Sequence, residues 1–296
     1  MNELETSMAR RAARLMRSAR KQKEFNQREV ALRLGITQGN LSKMENGILV
    51  PSAPQWFEFC EMTGISPISL TQGYLERNSP AQLRSGGSEG GFSLPSDYSR
   101  ERGSKVRAMI PFLAYFEKTF GEDKLESYLE SLRLDPDFFV NFDNQISMNF
   151  CLDISRYLIG KGFLRTRDIP KIVKPIQSVE MHGSIHQSYN EEGEKTKPLN
   201  RLRILLMNSA SYECNFQYQI EEDQRRSLIM SVKAGDHLKD LDYRDDPTLG
   251  DFLCQYKKAY FQRFASPRAD QEVTLEERQC HYHGAESCVY ELAAAS

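Results

Sequence analysis

The stretch from residue 27 to residue 44 constrains this 296-residue chain more than any other. Counting from Gln27, Ala31 takes the fifth place, Gly35 the ninth, Leu41 the fifteenth and Met44 the eighteenth. Two short helices crossing at close range need a small residue at the crossing, which Ala31 supplies. The turn between them needs a residue that tolerates positive φ, which Gly35 supplies. Val30, Leu34, Ile36, Leu41 and Met44 then become the apolar contacts that pin the second helix on the first. Upstream, Met8, Ala12, Leu15 and Ala19 recur at helical spacing and predict a first helix, with Arg10, Arg14, Arg17 and Lys21 on another face. Asn26 and Thr37 are placed as N-caps and Gly47 as a left-handed C-cap. Pro51 and Pro54 open a fourth helix around 55–63, and Pro67 a fifth around 68–77.

This spacing resembles the lambda repressor/Cro-like (XRE-type) helix-turn-helix family over about residues 8–74. Arg20, Gln27, Ala31, Gly35, Thr37, Leu41, Glu45-Asn46-Gly47 and Pro51 carry the resemblance. It implies a head that binds double-stranded DNA with its third helix in the major groove. The residues at the base-reading positions are Thr37, Gln38, Gly39, Asn40, Ser42 and Lys43. Gln can bond an adenine edge bidentately and Lys can donate to guanine. Gln27, at a helix N-terminus, is placed to bond a phosphate, as is the backbone near Asn46. Arg20 and Glu45 match a structural ion pair of the family. The chain departs from the pattern at Gly39, where a longer contacting side chain is usual, which weakens the third helix and its base contacts. The cationic stripe on the first helix reads as a solvated face, with phosphate contact as the alternative.

Residues 79–103 shift in composition. Four of the 18 glycines crowd into residues 86–91, between Pro80 and Pro95, and such a segment reads as a flexible linker. It separates a head, 1–78, from a body, 104–296. The formal charge of −2 then resolves into two unlike parts. The head has 11 Lys/Arg against 8 Asp/Glu, and the rest of the chain 28 against 33. One mildly basic head binds weakly, so two heads on a palindromic site are expected to supply the affinity. In the body, 106–120, 123–132, 144–159 and 168–176 read as helices. Residues 201–208, 212–221 and 227–234 alternate like strands. A helix over 249–264 leads into a hairpin of 272–282 and 287–292. The fold class is therefore an all-α helix-turn-helix head joined to an α+β C-terminal domain.

Three of the six cysteines lie near the end of the chain. Cys280 and Cys288 flank the hairpin turn, and an odd loop would set them face to face, at a separation that suits a shared metal or a disulfide. Glu277 precedes Cys280 by three residues, and Cys254 sits on the preceding helix. Together they offer three sulfurs and a carboxylate, a set zinc accepts. In a regular strand Glu277 and Cys280 point to opposite faces, so convergence requires a bulge or a strand end. Otherwise these are ordinary half-buried thiols, and His281 and His283 are substitute ligands. The arrangement of Cys254, Glu277, Cys280, Gly284 and Cys288 resembles the vinyl-reductase-type (4-vinyl reductase) domain, which also forms the sensory part of phenol-responsive activators. That resemblance implies a structural zinc beside a pocket for a small hydrophobic or aromatic effector, and a homodimer.

His182 and His186, four residues apart, read as polar histidines, with a bond to a ligand hydroxyl as the sharper alternative. Phe112, Tyr115, Phe116, Phe120, Phe138, Phe139, Phe142 and Phe150 read as core, and the helices carrying them as the wall of any pocket. No nucleophile motif, phosphate loop or metalloprotease motif is present, so no enzyme is expected. The absence of a signal peptide or long apolar run predicts a cytoplasmic protein. The expectation is a transcriptional regulator. Its competitors are an assembly module whose head binds a protein, and a protein that handles tetrapyrroles or other small molecules.

Overall fold

The computed structural model describes residues 3–75, 91–173, 199–209, 213–236, 238, 246–265 and 273–294. In chain order the elements that matter are α1 (Glu3–Gln22), α2 (Gln27–Arg33), α3 (Gln38–Glu45), α4 (Ala53–Thr63), α5 (Ser69–Gln72), α6 (Val106–Phe120), α7 (Glu122–Ser131), a 3-10 turn (Pro136–Val140), α8 (Met148–Gly160) and α9 (Ile169–Val173). They continue with α10 (Asn200–Met207), β1 (Phe216–Asp223), β2 (Ser227–Ala234), α11 (Pro247–Ala265), β3 (Val273–Gln279) and β4 (Cys288–Ala294). Two compact units result: Met1–Pro95 with Asp123–Gln145, and Ser96–Glu122 with Ile146–Ser296.

The first unit is the helical head with an insert. Asn26 caps α2 in a reciprocal box with Glu29, and the Thr37 hydroxyl caps α3 by accepting from the Asn40 N–H at 3.2 Å. Gly35 has φ +64°, as the turn requires, and Ala31 is buried at the crossing. Leu15, Val30, Leu41, Trp56 and Phe59 form the core. Val140, from the far end of the insert, belongs to the same core. Residues 123–145 attach to the head in several further ways. Phe138 meets Phe92 edge to face, Phe142 stacks on Tyr74 at 4.6 Å, and the Leu75 N–H donates to the Val140 carbonyl. The boundaries read from composition therefore miss two attachments: 91–95 and 123–145 both pack with the head.

The insert also changes the meaning of the cationic stripe. Arg17 grips Asp137 with two N–H groups, at 2.7 and 3.0 Å, Lys21 pairs with Asp135 and Asp137, and Arg14 pairs with Glu126 at 3.2 Å. Three of the four cations are thus held by carboxylates of one acidic segment. The stripe is neither a solvated face nor a free phosphate-binding face.

The second unit is α+β. Its sheet runs in the order β1-β2-β4-β3, all antiparallel. Residues 201–208, expected as a strand, form helix α10 instead. Leu202, Leu205 and Leu206 are the buried residues there, and their spacing of three and one is a helical stripe rather than an alternation. α11 is buried on two sides. Phe261 meets Tyr218 of β1 and Tyr290 of β4, while Phe252 and Tyr256 meet Phe112 of α6. Gly250 is needed for this packing, since a Cβ there would come within 2.9 Å of the Tyr282 ring.

Candidate functional site

The head presents α3 with Thr37, Gln38, Gly39, Asn40, Lys43 and Asn46 exposed and Ser42 half-buried. Gln38 is steadied from behind. Its Nε2 faces Gln27 Oε1 at 3.5 Å, Gln27 Nε2 donates to Glu45 Oε2 at 2.8 Å, and Arg20 holds both Glu45 oxygens at 2.6 and 3.0 Å. Glu45 is 2% exposed, so this scaffold ion pair is a rigid base for the relay. One side-chain N–H of Gln27 is thereby committed to Glu45. Around Gly39 there is open space, with only Thr37 Oγ1 within 4 Å of an added Cβ, so its small size reflects no steric demand.

In the second unit Cys254, Glu277, Cys280 and Cys288 converge, each offering one ligand atom, all within 4.8 Å of one another. The register explains how. Up to Glu277 the pairing of β3 with β4 is regular, with Glu277 opposite Tyr290. A bulge then shifts it by one residue, so that Gln279 lies opposite Val289, with Cys280 the residue after the one and Cys288 the residue before the other. The bulge answers the parity problem, bringing Glu277 and Cys280 to the same side. Cys254 reaches the pair from α11, its sulfur 3.3 Å from that of Cys280.

These residues fit a metal. A tetrahedral zinc–thiolate site has Zn–S bonds of about 2.3 Å, hence sulfurs about 3.8 Å apart. Glu277 Oε2 pairs with Lys258 at 2.7 Å, whereas Oε1 is buried with no hydrogen-bond partner, an orphaned acceptor of the kind a cation satisfies. One thiol of the cluster is held low, while burial raises that of Cys280. The hydrogen bond from Cys254 holds the Cys288 thiol down to about 5 against the cost of burial, helped by the His281 N–H and by Lys257, while the proton retained on Cys254 is held correspondingly high. His281 is not drawn into the cluster, since its Nδ1 lies 3.0 Å from the Ala285 carbonyl oxygen. None of the six cysteines forms a disulfide.

A cavity of about 140 Å³ is lined by α6, α8, α10, α11 and β1. Phe112, Phe216, Tyr218, Tyr256, Tyr260 and Phe261 give it an aromatic lining, so α6 does form part of its wall. Other phenylalanines expected as core, among them Phe116, Phe138 and Phe150, are fully buried. Three charged residues also line it: Arg107, Glu213 and Lys257. Glu213 accepts from the Ser104 hydroxyl at 2.7 Å and the Asn215 N–H at 2.8 Å, yet burial pushes its carboxyl up to about 7. None of these three was singled out from the sequence. Lys257 could have been, because it falls three residues after Cys254 and four before Phe261, on a face that is otherwise apolar. His182 and His186 lie outside the described residues.

Residues 16–70 match a helix-turn-helix family model. No curated protein matches the chain. Among solved structures, an Fe(II) unliganded H-NOX protein from K. algicida is 12% identical, covering 65% of this chain and 97% of that one at a TM-score of 0.45. An H-NOX protein from S. oneidensis in the Fe(II)NO ligation state is 10% identical, covering 65% of this chain and 99% of that one at 0.41. Likeness at that level assigns no ligand to this chain. The head is thus a DNA-binding helix-turn-helix, the second unit is α+β, and no helix among the described residues is long and apolar enough to cross a membrane.

Proposed function

We propose that this chain is a cytoplasmic, non-catalytic transcriptional regulator that reads a palindromic DNA site as a homodimer and whose α+β unit binds a small hydrophobic or aromatic effector. The reading rests on one observation above others: α3 offers Gln38, Asn40 and Lys43 to solvent from a helix-turn-helix scaffold whose Gln38 is steadied by a buried ion pair. Those side chains suit base edges, and backbone groups at the start of α2 and near Asn46 suit phosphates. Cys254, Glu277, Cys280 and Cys288 would hold a structural zinc, four ligands with no open position, which ties α11 to the β3–β4 hairpin beside the cavity. The cavity would take the effector. The insert supplies a route to the head: residues 123–145 pack with the head and are continuous with α6 at one end and α8 at the other, and both helices line the cavity. A ligand that shifted α6 against α8 would therefore act on the head through covalent continuity.

Selection of binding sites from random duplex DNA with the full chain tests this. The expected result is an enriched two-fold-symmetric motif whose affinity falls steeply with salt. Gln38→Ala should cost about 1–3 kcal/mol and relax preference at one base pair per half-site, leaving the others intact. A chain that enriches no motif would overturn the regulator reading in favour of a protein-binding head.

A further inference from the structure

Lys257 stands in the aromatic cavity without a carboxylate counter-ion, the Cys288 sulfur being an opposing charge that it helps to hold ionised. Its ammonium lies over the Phe216 ring, 3.8 Å from the centroid, and among the described residues it forms no ion pair with a carboxylate. Its neighbour Lys258, one position on, is paired with Glu277 at 2.7 Å. Glu213, the cavity's own carboxyl, turns its oxygens to Ser104 and Asn215 instead and keeps its proton to near neutrality. With Arg107 also in the wall, the charged lining is cationic on balance. An ammonium withdrawn from water is costly unless paired, and an aromatic face recovers only part of that cost. The remaining requirement is met by a ligand carrying its own anion. The rest of the lining sets its other end: Phe112, Tyr256, Tyr260 and Phe261 offer ring faces and edges. The volume, about 140 Å³, is close to that of cavities of about 150 Å³ known to accept one benzene.

We infer that the cavity binds a single-ring aromatic carboxylate, with its carboxylate paired to Lys257 and its ring among Phe112, Tyr256 and Tyr260. Pairing of the carboxylate with Lys257 fixes which end of the ligand lies against α11. This inference rests on the reading of the α+β unit as an effector-binding domain, and sharpens it from hydrophobic or aromatic to anionic. It also predicts selectivity, because a neutral isostere would leave Lys257 unpaired in an apolar site.

Calorimetric titration of the full chain with benzoate, benzamide and phenol is the test. Benzoate should bind about tenfold or more tightly than benzamide in the wild type, a comparison that needs no variant. Lys257→Met keeps the stem and removes the charge, so it should lose that preference while Lys257→Arg retains it. If benzamide or phenol binds as well as benzoate, or Lys257→Met keeps the preference, the anion assignment falls and the effector cavity stands. If none of the three binds, both fall.

Discussion

Glu213 is the single residue whose behaviour departs furthest from a carboxyl in water. Its value in the unfolded chain is 4.5 and burial in the cavity wall raises it to about 7. The folded form thus binds the proton more tightly than the unfolded form. The stabilisation linked to it is fully present below about 4.5 and is lost as pH rises through about 7, a change of up to about 3 kcal/mol. Glu213→Gln keeps the shape and removes the titration. The stability of wild type minus that of Glu213→Gln, measured by urea unfolding, should therefore fall between pH 5 and pH 7.5, and a flat difference would mean that the carboxyl is solvated. Cys280 carries the corresponding test for the metal. Binding requires thiolates, and Cys288 is already held low by Cys254. Purified wild type should carry about one zinc per chain, and Cys280→Ser should carry far less and melt at a lower temperature. Metal-free wild type, or equal metal in both, would reduce the cluster to buried thiols.

At the scale of elements, the insert 123–145 is the feature with most consequence for the head. Asp137 is held in a two-pronged pair with Arg17 and its side chain is 5% exposed, whereas the Arg14–Glu126 pair is 24% and 37% exposed. Equal substitutions should therefore behave unequally. Asp137→Ala leaves a partly buried guanidinium without its partner and should cost about 1–3 kcal/mol, against about 0–1 for Glu126→Ala. Trp56, the only tryptophan of the chain, is buried in the head and reports its unfolding directly by fluorescence. Equal midpoints for the two variants would show the insert to be a loose neighbour. Local patterns announced most elements: α2 and α3 through caps and the turn glycine, α6 and β2 to the residue. α10 was misread because Arg201 to Met207 mixes charged and apolar residues closely enough to satisfy a two-residue period as well as a helical one. The Cys/Glu cluster was legible in residue type and hidden in geometry, since a bulge between Glu277 and Gln279 leaves no residue signature. The insert was invisible for a different reason. Asp135 and Asp137 bond to residues more than a hundred positions away and Val140 to Leu75, and no periodicity records partners at such distances.

For the molecule as a whole, the question is whether the DNA-reading head is an independent module. Composition draws its end at residue 78, yet its core contains Val140, its first helix is neutralised by Asp135 and Asp137, and Tyr74 stacks on Phe142. Cutting at 78 removes all of these at once and exposes Arg14, Arg17 and Lys21 as a bare cationic face. The lost burial and the lost Arg17 pair sum to a few kcal/mol at least, and for a domain of this size each kcal/mol moves the melting temperature by about 4–8 °C. A fragment of residues 1–78 should therefore melt about 10 °C or more below the head within the full chain, both followed by Trp56 fluorescence. It should also bind non-specific DNA more tightly per head at low salt, because the carboxylates of the insert no longer neutralise the cations of its first helix. These two outcomes belong together, since one set of contacts both supports the fold and occupies the charges. A fragment that melts with the full chain and shows no gain in salt-sensitive binding would make the head a freestanding module, and the insert could then carry no signal from the cavity helices to the DNA.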